Sequence, residues 1–176
     1  MKKLSALALT ALTALSTIAA PAAQARNVDN AHVELARAVL STGVTLTINP
    51  ITCASVPALG WYSPANREMV VCQESAKGTY EVNWTEEDLD TLRHEAQHLV
   101  QDCMNGELDG DLGSLYQDPI ALAKSILSEN QIGNIIKTYT EQGASEHILI
   151  MELEAFSVAA MNNPMEQVAD IAKYCF

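Results

Sequence analysis

Apolar and polar residues recur with helical spacing in the longer segments of the chain and with strand spacing in a few short ones. Segments with helical spacing are 31–40, 85–103, 145–161 and 164–175, and shorter helices are predicted to begin at Asp118-Pro119 and at Ser128. Segments typical of strands are 44–48, 59–62, 68–72 and 79–83. The pattern predicts a mainly helical α+β domain with a small N-terminal antiparallel sheet.

The segment 85–103 carries the most distinctive pattern. Thr85 is a good N-cap, and Asp88 three residues later makes an acidic variant of the capping box. The apolar stripe of this helix consists of Leu89, Leu92, Ala96, Leu99, Val100 and Cys103. His94 and His98 lie on a different face, so they are not expected to be core filler. His32, in the first turn of the first helix, is expected to face solvent and is assigned no ligand role.

The first 25 residues differ in composition from the rest of the chain. Lys2-Lys3 precede the apolar stretch from Leu4 to Ala20, and Ala23-Gln24-Ala25 supplies the small residues of a cleavage site. A signal peptide that is cleaved after Ala25 is therefore predicted, with a transmembrane anchor as the less favoured alternative. The remaining residues, 26–176, are expected to form one soluble, monomeric domain that is secreted or periplasmic.

The charge of the chain bears on its partners. The full sequence has 10 basic and 22 acidic residues, and residues 1–25 hold two of the lysines and no acid. Removing them leaves 8 basic and 22 acidic residues, a formal charge of −14. Such a balance disfavours nucleic acid and anionic membranes as partners.

The four cysteines of an exported chain are expected to form two disulfides. Three connectivities are possible from the sequence. The favoured pairs are Cys53 with Cys72, which would close a short β-rich segment, and Cys103 with Cys175, which would tie the end of the histidine-bearing helix to the C-terminus. A cysteine-ligated zinc is disfavoured because the spacing contains no C-x-x-C.

The sequence His94-Glu95-Ala96-Gln97-His98 is an H-E-x-x-H motif. In a helix this spacing puts two imidazoles one turn apart, where both can bind one zinc ion, and puts Glu95 in reach of a water on that ion as a general base. The motif is short, and two histidines on a surface helix remain the alternative. The capped helix and the exported chain favour the zinc site.

A catalytic zinc ion usually has a third protein ligand, and the sequence offers two candidates. No metzincin extension follows His98, but Glu152 and Glu154 lie in the predicted helix 145–161. Two residues correspond to about 200° around a helix, so both glutamates cannot be ligands from the same face.

The chain resembles the gluzincins, the thermolysin-like class of zinc peptidases, in which a glutamate on a following helix completes the H-E-x-x-H site. The resemblance lies in His94-Glu95-Ala96-Gln97-His98 and in Glu154-Ala155-Phe156-Ser157. It implies a minimal, one-domain zincin-like fold with Glu154 as the third zinc ligand and Glu152 as the alternative. Val158 stands where larger members carry an aspartate that orients a histidine. The resemblance also implies that the strand 68–72 is the edge strand that holds an extended substrate.

The predicted function is that of a secreted, zinc-dependent peptidase with Glu95 as the general base, expected to be an endopeptidase that acts on peptide or protein substrates. His147 and Tyr139 are candidates for a second donor to the oxyanion, although each could equally be a packing or surface residue. The alternatives are a catalytically inactive, zincin-like zinc-binding module and a secreted interaction protein in which the motif is accidental.

Overall fold

The fold was analysed in a computed structural model that describes residues 28–73, 84–106 and 108–176. The predicted signal peptide and the predicted strand 79–83 lie outside these ranges. Within them the chain forms six α-helices, three strands and two short 3₁₀ helices, Ile51–Ala54 and Pro64–Asn66. The elements are α1 (Asn30–Ser41), β1 (Thr45–Ile48), β2 (Gly60–Ser63), β3 (Glu68–Val71), α2 (Glu86–Cys103), α3 (Pro119–Ile126), α4 (Glu129–Glu141), α5 (Glu146–Met161) and α6 (Pro164–Tyr174). The mainly helical α+β class is confirmed.

Side-chain caps explain where most of these helices begin. The Thr85 hydroxyl accepts from the backbone N–H of Asp88, and the Asp88 carboxylate accepts from that of Thr85, so the predicted capping box of α2 is present. Asp118, Ser128 and Ser145 cap the three helices that follow. These starts are local signals, and they lie where the sequence predicted them.

The sheet is mixed, and the prediction of an antiparallel sheet is wrong for one of its two ladders. Its order is β1-β3-β2, with β1 parallel and β2 antiparallel to β3. The β2–β3 hairpin turns at Pro64–Asn66, and Arg67 ends the turn with φ 48°. β3 is therefore a central strand and not the predicted edge strand. Its apolar residues, Met69, Val70 and Val71, are fully buried, as expected for a strand covered on both faces.

Helix α2 lies at the centre of the domain. Fifteen of its eighteen residues are buried, including the histidines and most of its other polar residues. Its apolar side packs on the sheet, α1 and α6, and the other side faces α5. The alternative of a surface helix is therefore wrong, because elements cover α2 on several sides.

His32 is buried, with 3% of its surface exposed, so the expectation that it faces solvent is wrong. Its ring lies between Asp29, 2.9 Å from Nδ1, and the guanidinium of Arg93, 2.7 Å from Nε2. Buried Arg93 needs acceptors, and it also donates to the carbonyl of Ala159 at 2.9 Å. Gln167 in turn donates to the carbonyl of Arg93. These bonds connect α1, α5 and α6 to α2.

Both predicted disulfides are formed. Cys53 is bonded to Cys72, just after β3, and Cys103 at the end of α2 is bonded to Cys175, just after α6. Two disulfides are compatible with an oxidising, extracytoplasmic location. None of the helices in the described ranges combines the length and the apolar character that a membrane span requires.

We expect Gly60→Ala to destabilise the domain. An added Cβ would lie 2.6 Å from Cγ2 of Thr91 and 2.7 Å from the carbonyl oxygen of Val70, so β2 would have to move away from α2. Overpacking of this kind costs about 1–3 kcal/mol, which urea unfolding followed by circular dichroism can measure.

Gly133→Ala, within α4, is the matched control for this substitution. Nothing lies within 4 Å of the position that its Cβ would take, so this variant should be more stable than the wild type by about 0.5–1 kcal/mol. Equal destabilisation of both variants would contradict the close contact between β2 and α2.

Candidate metal centre

Three buried side chains from two helices converge on one point. His94 and His98 extend from α2, and Glu152 extends from α5, with exposed fractions of 4%, 3% and 1%. The Nε2 atoms of the two histidines are 3.1 Å apart. Oε2 of Glu152 is 3.3 Å from Nε2 of His94, and Oε1 of Glu152 is 3.5 Å from Nε2 of His98. The group could therefore hold a metal ion.

These distances fit a zinc ion. Zinc bonds to histidine nitrogen and carboxylate oxygen are about 2.0–2.2 Å long, and a tetrahedral arrangement then separates any two donor atoms by about 3.3–3.6 Å. The 3.1 Å between the two Nε2 atoms is close to that separation, and so are the contacts of 3.3 and 3.5 Å, which the two oxygens of Glu152 make with His94 and with His98 respectively. Two imidazoles and one carboxylate also match the donor set of catalytic zinc sites, which keep a fourth position open.

Polar atoms without hydrogen-bond partners provide a second indication of a ligand. Among the described residues, buried polar atoms that lack a partner include both oxygens of Glu152, Oε1 of Glu95 and the hydroxyl of Tyr139. An unsatisfied buried polar group costs about 1–3 kcal/mol, and more when it is charged. A bound cation and water would satisfy such groups.

The electrostatics of the centre are those of a buried carboxylate–imidazole cluster. Burial raises the pKa of Glu95, against the opposing charges of His94 and His98. Burial alone would lower the pKa of His98, but the negative charge of Glu152, 3.5 Å away, raises it to about 9. Burial would likewise raise the pKa of Glu152, and His98 and His94 bring it well below its ordinary value.

Glu95 is positioned by the sheet. The backbone N–H of Tyr62 in β2 faces its carboxylate and lowers its pKa, against the larger effect of burial. The absence of a side chain at Gly60 permits this approach, since even a Cβ there would lie 3.3 Å from Cγ of Glu95. One oxygen of Glu95, Oε1, is left without a partner. A fixed carboxylate with a free oxygen is suited to accept a proton.

Glu154, which the resemblance favoured as the third ligand, is not part of this group. The structure places Glu152, the alternative, beside the imidazoles, whereas the Glu154 carboxylate faces the glutamines of the neighbouring stripe of α2. Glu154 instead accepts hydrogen bonds from five donors. These are the side chains of Gln97, Gln101 and Ser114 and the backbone N–H groups of Leu115 and Tyr116.

The two predicted oxyanion donors lie in different surroundings. The Tyr139 hydroxyl is buried near the centre, and its pKa is raised by burial and by the negative charges of Glu152 and Glu95. The Tyr139 ring contacts Phe156, which in turn packs on the ring of His94 with 4.3 Å between centroids. His147 instead donates from Nε2 to the carbonyl of Leu112 at 2.9 Å. The structure brings only Tyr139 to the centre.

Sequence reasoning missed the residues that support the ligands. The side-chain oxygen of Gln101 lies 2.8 Å from Nδ1 of His98, whereas Nδ1 of His94 has no partner among the described residues. The available signal was the spacing of Gln97 and Gln101, which repeats the i, i+4 spacing of the histidines on an adjacent stripe of α2.

A family model described as a domain of unknown function (DUF8637) matches residues 25–176. No curated protein and no solved structure matches the chain.

We expect the protein to bind one zinc ion per chain, and Glu152→Gln and His98→Ala to weaken binding by at least about 100-fold, because each removes a ligand. Competition with a chromophoric chelator measures the affinity. The matched control is His147→Ala, which removes an exposed histidine outside the centre. Unchanged affinity in the Glu152 and His98 variants would contradict the assignment of these ligands.

Proposed function

We propose that this chain, which belongs to the DUF8637 family, is a zinc-dependent peptidase that hydrolyses peptide bonds. The observation that carries the proposal is the buried His94–His98–Glu152 group with the Glu95 carboxylate, free at one oxygen, beside it. Zinc is the metal expected from two imidazoles and one carboxylate, because harder cations such as calcium and magnesium prefer oxygen ligands.

The three ligands would hold zinc with one coordination position left for substrate and water. A zinc ion in such a position acts as a Lewis acid and lowers the pKa of water to about 7. The low exposure of the ligands strengthens this effect, since charges interact more strongly where water is excluded.

Glu95 would serve as the general base and then as the general acid. Its raised pKa lets it keep a proton long enough to pass it to the leaving amine. The carboxylate lies against the Tyr62 N–H, and its Oε1, which has no hydrogen-bond partner among the described residues, would be free to receive the proton of the attacking water.

Tyr139 would donate a hydrogen bond to the oxyanion. Burial and the negative charge of Glu152 raise its pKa, so the phenol is protonated at neutral pH and can donate. A buried donor of this kind favours the transition state, in which negative charge develops on the carbonyl oxygen.

The free edge of β2 is the surface that we propose for a peptide substrate. Among the strands of the described residues β2 pairs only with β3, and a peptide could add as a strand to its other edge. Since the Tyr62 N–H on β2 contacts Glu95, an extended chain along this edge would pass beside the centre. β2 would then have the role that the resemblance implied for the strand 68–72.

A zinc-binding module without catalysis is the second candidate, and the burial of the site favours it. The ligands and Glu95 are at most 4% exposed, as in structural zinc sites that are closed to substrate. The two functions differ in what Glu95 does, because a structural site has no need of a base.

We expect Glu95→Gln to abolish hydrolysis of a denatured protein substrate, with a loss of at least about 100-fold in kcat, because the base is removed. Zinc content should stay at one ion per chain, since Glu95 is not a ligand. A zinc-loaded wild type without hydrolysis of a broad peptide library would favour the second candidate.

Tyr139→Phe should lower kcat by about 10²–10³-fold with little change in KM, because the hydroxyl acts on the transition state. Zinc affinity serves as the control and should be unchanged. Equal kcat in wild type and variant would remove Tyr139 from the mechanism.

A further inference from the structure

Glu154 is a fully buried carboxylate that lies close to the centre without belonging to the ligand group. Five donors surround it, and two of them are the side-chain amides of Gln97 and Gln101 on α2. The others come from the loop that precedes α3, at Ser114, Leu115 and Tyr116. Each of these five groups donates a hydrogen bond to the carboxylate. The partners of Glu154 must therefore present N–H or O–H groups to it.

This requirement fixes the orientation of the Gln101 amide. Its Nε2 donates to Oε1 of Glu154 at 3.1 Å and to the carbonyl of Met151 at 3.0 Å. A rotated amide would place its oxygen against two acceptors. The side-chain oxygen of Gln101 must therefore point the other way, where it lies 2.8 Å from Nδ1 of His98.

An amide oxygen can only accept a hydrogen bond, so it requires a proton on Nδ1 of His98. A neutral imidazole with its proton on Nδ1 has its lone pair on Nε2. Nε2 is the atom of His98 that faces His94 and Glu152. The chain from Glu154 through Gln101 thus selects the form of His98 that can bind a metal.

We propose that Glu154 is a positioning residue that orients His98 for metal binding through Gln101. This inference rests on the metal centre of the proposed function, and it adds a residue, Glu154, that orients one of the ligands. Hydrogen bonds to the second nitrogen of a ligating histidine fix its tautomer, and losing them typically costs about 10–100-fold in metal affinity.

Two glutamines make a matched test. Gln97 and Gln101 are both fully buried, and both donate to Oε1 of Glu154, but only Gln101 contacts a ligand. We expect Gln101→Leu to weaken zinc binding by about 10–100-fold and Gln97→Leu to change it by less than about threefold. Thermal unfolding without zinc measures the general cost of each substitution.

A double-mutant cycle tests the role of Glu154 itself. Glu154→Gln should weaken zinc binding because its amide can turn the Gln101 amide around, and the effect should not add to that of Gln101→Leu. Equal losses of zinc affinity in Gln97→Leu and Gln101→Leu, or additive losses in the cycle, would overturn the proposal. Neither result would contradict zinc binding by the wild type.

A measurement on the wild type removes dependence on the folding of variants. Long-range ¹H–¹⁵N spectra of the zinc-loaded protein should show His98 with a proton on Nδ1 and the metal on Nε2. The reverse arrangement would overturn the proposal. A wild type that binds no zinc would overturn the proposed function as well, so the two failures can be told apart.

Discussion

The burial of a polar helix at the centre of the domain is the constraint that shapes the rest of the structure. α2 carries arginine, histidine, glutamate, glutamine and aspartate side chains into the interior, and each needs a partner there. Arg93 takes its partners from α1 and α5, and Glu95 packs against β2 at Gly60 and Tyr62. Asp102 accepts from the hydroxyl of Tyr62 at 2.6 Å. The polar groups of one helix thus set the positions of its neighbours.

Two polar stripes on α2 face two glutamates on α5. His94 and His98 meet Glu152, and Gln97 and Gln101 meet Glu154. The two stripes differ in kind, because the imidazole nitrogens that face Glu152 can bind a cation, whereas the amides already satisfy Glu154 as hydrogen-bond donors. Glutamate therefore has two roles on α5, and the side chains that each glutamate faces on α2 decide which role it has.

Local signals in the sequence predicted the parts of this structure that depend on neighbouring residues. Thr85 and Asp88 predicted the start of α2, and the H-E-x-x-H spacing predicted that two imidazoles would meet. The strand order could not be predicted, because β3 lies between β1 and β2 through long-range packing. The third ligand could not be predicted either. α5 is buried on nearly all sides, so its hydrophobic pattern does not indicate which glutamate faces the histidines of α2. His32 was misjudged because its partner, Arg93, is distant in sequence.

The bond between Cys103 and Cys175 has a consequence for the order of folding. It spans 72 residues and closes the end of α2 onto the residue after α6, while α1 packs against α6 from the other end of the domain. Contacts between residues so far apart in sequence form late, because the loop that they close is long. The centre would then assemble only after α5 and α6 have docked on α2. A chain in which α5 has not yet docked would carry the H-E-x-x-H turn without Glu152 and would have little ability to retain a metal ion.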